Sequence, residues 1–175
     1  WNVQAQSISP YLQAKTHQSI YINWISSTTG IPTIVYGTSP AALNMTVSGG
    51  QNQFVDGATS YYYNTSHVIN LQPNTKYYYR AELNGQFSDT LSFKTSPLPG
   101  AAASADGHMR FMIMGDNQIQ TSGRYDSLVG QAKRKIGQKY GGDPSDVIEL
   151  TFMVGDQVDL GNLNQYKNIH FDYNK

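Results

Sequence analysis

The sequence predicts a two-part chain: an all-β sandwich followed by the start of an α/β domain with strand–helix–strand order. Three observations predict it. Residues 1–97 contain short apolar alternations of period two, separated by Gly, Pro and Asn turns. Residues 98–108 are small, include proline and have no periodicity, which indicates a linker. In residues 109–175 the apolar spacing becomes helical between two short apolar runs.

The strands of the first part follow from apolar alternation and from the turns between them. Ile20, Ile22 and Trp24 alternate on one face of a strand, with Trp24 as the expected core aromatic. Asn84 and Gly85 predict a hairpin, because both residues tolerate the positive φ of a type I′ turn. Further strands are expected at 33–36, 61–68, 76–83 and 87–95, with a turn at 72–75.

Two tyrosine triplets, at 61–63 and 77–79, stand in predicted strands. Such triplets either supply both faces of a sheet or form a surface on which sugars stack. Two histidines of this part, His17 and His67, are interpreted as surface or strand polar residues rather than as metal ligands.

The second part is organised by two apolar runs that end in Gly-Asp, at residues 111–116 and 152–156. Apolar runs without polar alternation are typical of strands buried on both faces of a parallel sheet. Because a strand–helix–strand crossover makes its strands parallel, Asp116 and Asp156 should leave the sheet at the same carboxyl edge. The helix between them is predicted from the spacing of Tyr125, Leu128, Val129, Ala132 and Ile136.

Two carboxylates at neighbouring strand ends can share a pair of cations. Adjacent strands lie about 4.8 Å apart, close to the separation of about 3.5–4 Å between the metals of two-metal hydrolases. Gly-Asp after a strand is also ordinary turn chemistry, because Gly tolerates positive φ and Asp bonds its own backbone. Spacing alone leaves both interpretations of Asp116 and Asp156 open.

The remainder of the second part suggests an incomplete domain. A second strand is expected at 147–154, after a helix end at 141–144, and Leu163, Tyr166, Ile169 and Tyr173 predict a further helix. The basic residues Lys133, Arg134, Lys135 and Lys139 are interpreted as a solvated helix face rather than a phosphate site. Two strands and two helices cannot cover both faces of such apolar strands. We therefore expect the sheet to be completed by further chain, by self-association or by another chain.

Composition excludes several classes of partner. Formal charge is zero, with 12 basic and 12 acidic residues, so the basic field that nucleic acid or an anionic membrane needs is missing. No apolar run approaches the roughly 20 residues of a membrane span, and the absence of cysteine excludes disulfides and thiolate metal sites. Thirteen tyrosines and few charges favour a secreted, extracellular or periplasmic protein. Asn44 and Asn64 begin glycosylation sequons that matter only in a eukaryotic secretory host.

Four segments of the first part resemble the fibronectin-III-like N-terminal domain of purple acid phosphatases. They are Val-Tyr-Gly at 35–37, His-Val at 67–68, Leu-Gln-Pro-Asn-Thr-Lys-Tyr-Tyr-Tyr-Arg at 71–80 and Leu-Ser-Phe-Lys-Thr at 91–95. The segment after the linker is similar to the start of a calcineurin-like metallophosphoesterase domain. Met-Gly-Asp at 114–116 stands where the first metal-ligand motif belongs, and Val-Gly-Asp at 154–156 stands where the second belongs.

The resemblance implies a secreted, acid-phosphatase-like hydrolase that cleaves phosphate esters with a two-metal centre of Fe, Zn, Mn or Mg. It implies that Asp116 holds one metal and that Asp156 bridges both. The other ligands would belong to Gly-Asn-His and Gly-His-x-His motifs, which are not among these 175 residues. The resemblance identifies no catalytic residue here, and it implies that these residues alone are inactive.

Two positions depart from the family pattern. The family's histidine is missing after Asp116, where Asn117 and Gln118 follow. Asp159 stands where purple enzymes have their iron-binding tyrosine, so no ferric-tyrosinate chromophore is expected. Asp159 is either a substitute oxygen ligand or a loop residue. His170 has no motif context and is interpreted as a helix-surface residue.

A second hypothesis belongs to another functional class. The protein could be a non-catalytic cell-surface binding or assembly protein whose phosphoesterase half is degenerate or truncated. Tyrosine-rich sandwich edges and an unfinished sheet would then serve association. The two hypotheses differ in whether Gly-Asn-His and Gly-His-x-His motifs follow Lys175 in the gene.

Overall fold

The computed structural model describes residues 6–101, 107–116, 118 and 123–173, without the side chains of Gln6 and Tyr173. The chain divides into two compact units, residues 1–101 and residues 102–175. The predicted linker at 98–108 includes residues 102–106, which lie outside the described residues. No helix in the described ranges is long and apolar enough to cross a bilayer.

The described part of the first unit consists of nine strands in two antiparallel sheets. One sheet has the order β1-β2-β6-β5 and the other β4-β3-β7-β8, with β9 also paired to β7. The strands are β1 Gln6–Gln13, β2 Ile20–Ser26, β3 Thr33–Gly37, β4 Met45–Ser48, β5 Gly50–Asp56, β6 Thr59–Val68, β7 Lys76–Leu83, β8 Gln86–Phe87 and β9 Leu91–Lys94. The inner faces of the two sheets share one core, so the predicted all-β sandwich is confirmed.

The core of the sandwich forms around the alternating face of β2. Ile20, Ile22 and Trp24 are fully buried, as predicted, and pack with Ile34, Val68, Leu71, Tyr77, Tyr79, Ala81 and Phe93. Tyr77 and Tyr79 contribute their rings to this core, while Tyr78 lies half-buried on the other face of β7. The triplet at 77–79 therefore supplies both faces of a sheet.

A hydrogen-bonded corner precedes β7 and fixes where this strand begins. The Tyr77 hydroxyl accepts a hydrogen bond from the backbone N–H of Gln72 at 2.9 Å. The Thr95 hydroxyl accepts from the N–H of Thr75 at 2.9 Å and donates to the Gln72 carbonyl at 2.6 Å. A tyrosine that bonds back to the chain just upstream is a hallmark of immunoglobulin-like sandwiches.

The hairpin after β7 has the predicted turn. Asn84 and Gly85 adopt φ values of 52° and 77°, and Leu83 pairs with Gln86 across the turn. The return strand expected at 87–95 is divided into β8 and β9. Ser88 separates them, because its side chain turns inward and its hydroxyl accepts from the Ala81 N–H at 2.9 Å.

Asn64 is a buried polar centre on the inner face of β6. Its side-chain N–H donates to the Ser26 hydroxyl at 3.0 Å, and its oxygen accepts from the Gln51 side chain at 2.7 Å. A glycan on this nitrogen is incompatible with the fold, because the residue is 0% exposed. Of the two sequons, only Asn44 presents an exposed side chain.

The second unit contains the predicted strand–helix–strand arrangement. Strands β10 Phe111–Met114 and β11 Leu150–Met153 pair in parallel, and helix α1 Gly123–Tyr140 lies between them in sequence. The parallel pairing is confirmed. Helix α2, Pro144–Val147, includes Val147, the first residue of the strand predicted at 147–154. Asp143 caps this helix by accepting a hydrogen bond from the Ser145 N–H at 2.8 Å, and the strand begins later, at Leu150. The last helical segment is α3 Leu163–Gln165, which continues as a π turn, Tyr166–His170, and a 3-10 turn, Phe171–Tyr173.

Helix α1 buries a narrower face than its spacing predicts. Tyr125 and Val129 are buried and pack with Met114 of β10, whereas Leu128 is 54% exposed. Leu128 lies one position before Val129 and so about 100° away around the helix, beyond the covered face. The four predicted basic residues of α1 are exposed, as expected for a solvated face.

Among the described residues only one face of these strands is covered, as expected of two strands and two helices that cannot cover both. Met112 and Met114 face helix α1, but Phe111, Ile113 and Phe152 on the other face are 49%, 67% and 46% exposed. Phe111 and Phe152 meet edge to face across the two strands, with centroids 5.7 Å apart. The described helices cover one face only.

His170 is not the surface residue that was predicted. It is half-buried, and its ring meets Phe171 edge to face with centroids 4.8 Å apart. Burial lowers the pKa of this imidazole, because desolvation disfavours its charged form.

We expect Asn64→Ala to lower the free energy of unfolding by about 2 kcal/mol, because it removes the hydrogen bonds of a fully buried amide to Ser26 and Gln51. Asn44→Ala is the matched control and should change this free energy by less than about 0.5 kcal/mol. Urea unfolding followed by Trp24 fluorescence measures both. Equal stabilities of the two variants would show that the buried network contributes nothing.

A second prediction concerns pH. Because the pKa of His170 is lower in the folded state, the unfolded state binds more protons below a pH of about 6.5, and stability falls as pH falls through this range. His170→Gln should therefore flatten the dependence of melting temperature on pH between about 6.5 and 5. Asn168→Gln, at an exposed position two residues away, removes no titratable group and is the control that should leave this slope unchanged. A native slope in His170→Gln would contradict the assignment.

Candidate functional site

The two Gly-Asp turns follow paired strand ends. Met114 is the register partner of Met153, and the Val154 N–H donates to the Met114 carbonyl at 2.7 Å. Both turns therefore leave the sheet at the same edge. A Cβ on Gly115 would lie 2.2 Å from the Val154 carbonyl oxygen, a distance that excludes every side chain. Glycine at 115 is what allows the two backbones to approach.

The two aspartates share an unusual backbone conformation. Asp116 has φ 53° and Asp156 has φ 28°, both in the left-handed region that costs most residues about 1–2 kcal/mol. Positive φ also occurs at Ala14, Asn70, Asn74 and Asn84, and Asp adopts this region more readily than most residues, so the conformation suits a turn as well as a functional site. Both side chains are exposed, and Asp116 Oδ1 lies 4.0 Å from the position that a Cβ on Gly155 would take. The first carboxylate thus lies against the second turn.

Gln118 links the two turns. Its side-chain N–H donates to Asp156 Oδ2 at 3.4 Å. Its other amide atom, Oε1, is buried and has no hydrogen-bond partner among the described residues. Gln118 is not among the site residues predicted from the sequence. The available signal was its place two residues after Asp116, where the similar family has a histidine.

Asp159 lies exposed in the loop after β11. Among the described residues, no three His, Cys, Asp or Glu side chains group closely enough to hold a metal ion. Asp159 therefore does not form a three-carboxylate cluster with Asp116 and Asp156 in this structure. Its role as a substitute ligand stays a prediction.

By donor chemistry, the residues at this edge fit a divalent cation. Asp116 and Asp156 offer carboxylate oxygens, and Gln118 offers an amide oxygen that lacks a partner in the described part of the chain. Carboxylate and carbonyl oxygens are ligands that Mg²⁺, Mn²⁺ and Ca²⁺ prefer. These oxygens are candidate ligands for a cation at the sheet edge, and the described residues alone do not complete its coordination.

The remaining candidate residues lie in the first unit. His67 is exposed on β6 and stacks on Tyr21, with ring centroids 4.0 Å apart and planes 4° apart, which agrees with a strand polar residue. The tyrosines at 61–63 are half-buried, and Tyr61 stacks on Phe54 at 5.8 Å. Use of this triplet for sugar stacking stays a prediction.

Three solved structures illustrate what the fold is similar to. A structure of PhoD is 16% identical with a TM-score of 0.60, and the match covers 99% of this chain and 36% of PhoD. The chain thus spans about a third of PhoD, and at this identity the likeness concerns the fold alone.

The other two structures are less similar. The sensor domain of the anti-sigma factor RsgI4 from Pseudobacteroides cellulosolvens is 17% identical with a TM-score of 0.40, covering 55% of this chain and 95% of that domain. Astrotactin-2, a vertebrate-specific perforin-like membrane protein, is 10% identical with a TM-score of 0.37. The match covers 79% of this chain and 27% of astrotactin-2. Neither likeness is close enough to support an argument.

Sequence comparison gives a more specific result. No curated protein matches the chain. The family model of the purple acid phosphatase N-terminal domain matches residues 5–95, which is more than half of the 175 residues. This range contains the two sheets, the shared core and the tyrosine corner of the sandwich. The chain belongs to the purple acid phosphatase N-terminal domain family.

Proposed function

We propose that the protein containing this chain is a secreted, metal-dependent phosphoesterase that hydrolyses phosphate esters, with an acid-phosphatase-like two-metal centre. The observation that carries the proposal is the pair of left-handed Gly-Asp turns at one edge of a parallel strand pair, at Asp116 and Asp156. Membership of the family adds support, because purple acid phosphatases are metal-dependent hydrolases. The activity belongs to the whole protein, since the chain spans 36% of PhoD.

The second unit is, on this proposal, the N-terminal part of a calcineurin-like metallophosphoesterase domain. The parallel pairing of β10 with β11 and the apolar face at Phe111, Ile113 and Phe152 support it. That face would be covered by further elements of the same domain. The ligands that the described residues do not supply would come from the same elements.

Each residue at the sheet edge has a role in this proposal. Asp116 would hold one cation, and Asp156 would lie between two and offset their mutual repulsion. Gly115 brings the two turns together, because no side chain fits between it and Val154. When bound, the cations would neutralise phosphoryl oxygens and lower the pKa of an attacking water. The carboxylate oxygens of the two aspartates are suitable ligands for Fe, Mn, Zn and Mg.

The non-catalytic alternative draws support from one observation. The exposed apolar face of β10 and β11 could serve association with a second copy or another chain instead of domain completion. The gene decides between the two hypotheses. Gly-Asn-His and Gly-His-x-His motifs after Lys175 support the enzyme, and their absence supports the binding protein.

In the complete protein, the Asp156→Asn variant should bind neither metal and should turn over an aryl phosphate at least about 100-fold more slowly. Replacing a residue that binds the metal directly should reduce activity more than the roughly 10–100-fold that follows replacement of an outer-shell residue. Asp116→Asn should lose mainly one metal. Asp89→Asn, at an exposed position in the first unit, is the matched control. Metal content by mass spectrometry and turnover are the measurements. Two metals and near-native turnover in Asp156→Asn would show that the aspartates are turn residues.

Gly115→Ala tests the close approach of the turns. The added methyl must push the Val154 carbonyl away, and we expect about 1–3 kcal/mol of destabilisation with reduced metal content. Gly130→Ala is the control: its Cβ would meet nothing within 4 Å on α1, so it should stabilise the helix by about 0.5–1 kcal/mol. Thermal melting and metal analysis of the complete protein report both effects. A native-like Gly115→Ala would contradict the role of this glycine.

A further inference from the structure

The outward face of the sheet β1-β2-β6-β5 carries aromatic side chains that lie outside the sandwich core. Trp24 of β2 points into the core and pairs with Asn64 of β6, so the residues that alternate with these two point outward. Six outward aromatic residues, which we name the aromatic platform, are Tyr11, Tyr21, Phe54, Tyr61, Tyr63 and His67.

Two stacked pairs mark the ends of the platform. Tyr21 and His67 lie almost parallel, with ring centroids 4.0 Å apart and planes 4° apart, and both side chains are exposed. At the other end, Phe54 stacks on Tyr61 with centroids 5.8 Å apart. None of these four rings belongs to the core that the two sheets share. Formation of that core therefore does not explain their presence.

A third pair lies between the other two. Tyr11 and Tyr63 meet across β2, and burial, followed by the hydrogen bond to the Tyr63 hydroxyl, raises the pKa of Tyr11. Along β6 the platform extends from Tyr61 to His67, a length of about 20 Å at about 3.4 Å per residue. The three pairs thus form a strip on one face of the sheet.

Exposed amides lie beside the rings. Gln13 is the register partner of Tyr21, and Asn52 is the register partner of Tyr63; both amides are exposed. Asn23 is buried on the same face, and its Nδ2 donates to Gln13 Oε1 at 2.9 Å. This bond holds the Gln13 side chain in place, while the Gln13 N–H groups stay available as donors to a ligand.

The chemistry of this face favours a neutral ligand. Between its two end pairs, the outward positions of the described strands β1, β2, β5 and β6 contain no Asp, Glu, Lys or Arg. A nucleic acid or another polyanion would need cationic side chains there. Rings that adjoin amide donors instead match a ligand whose apolar C–H faces alternate with hydroxyl groups, because binding sites combine aromatic surface with a few placed polar groups.

We propose that the aromatic platform is a binding site for a neutral polysaccharide. Tyr21 and His67 stack on the C–H faces of sugar rings, and Gln13 and Asn52 donate hydrogen bonds to sugar hydroxyls. The first unit then attaches the protein to a glycan. This role is separate from the metal centre, because every residue of the platform belongs to the first unit.

The test uses the complete protein in native gels that contain a dissolved β-glucan, xylan or mannan, with polygalacturonate as the acidic comparison. Retardation at increasing polysaccharide concentration gives the dissociation constant. We expect at least one neutral polysaccharide to retard the protein and polygalacturonate to have no effect. Tyr21→Ala should weaken binding about tenfold, because it removes an exposed stacking ring.

Two further variants make the test specific. Asn52→Ala removes one exposed amide and should weaken binding about threefold or more; at an exposed position it keeps the test decisive even if Tyr21→Ala folds poorly. Tyr78→Ala is the matched control, because it removes a half-buried tyrosine from the outward face of the other sheet. Its affinity should stay within about twofold of native.

Three results would overturn the inference. They are native affinity in both Tyr21→Ala and Asn52→Ala, equal retardation by polygalacturonate, and a complete protein that no neutral polysaccharide retards. Asp156→Asn should keep the native affinity for polysaccharide. Failure of the metal centre and failure of the glycan site are therefore distinguishable.

Discussion

The candidate site depends on one backbone contact, the approach of Gly115 to the Val154 carbonyl. Parallel pairing places the ends of β10 and β11 side by side, but pairing alone would leave the two turns separated by a full strand spacing. Because Gly115 has no side chain, the two backbone segments can approach more closely after the last paired residues, Met114 and Met153. Asp116 can then lie against the second turn, and Gln118 can reach Asp156.

The sequence predicted those parts of the fold whose burial alternates. β2 and β7 place every second residue in a shared core, so their apolar spacing is visible. Three strands went unpredicted. β4 and β5 lie at sheet edges and are largely exposed, so no apolar alternation marks them. β1 is also an edge strand, with register shifts and a proline at position 10, a residue confined to edges and bulges.

The site was predictable in position but not in composition. Two Gly-Asp motifs after apolar runs indicated Asp116 and Asp156, because topology alone brings parallel strand ends to one edge. Topology alone does not select Gln118, since its contact with Asp156 depends on where a side chain points after the turn. His170 shows the same limit. It ends a π turn that no sequence period predicts, and its surroundings are set by neighbours such as Phe171.

The buried amide of Asn64 has a consequence for biosynthesis. Its partners Ser26 and Gln51 come from β2 and β5, 38 and 13 residues away in the chain, so the network closes only after distant strands assemble. Until then the nitrogen is accessible on the nascent chain. In a eukaryotic secretory pathway, glycosylation would compete kinetically with sheet assembly, and each molecule modified there would be withdrawn from productive folding. A secretion route without oligosaccharyltransferase avoids that competition.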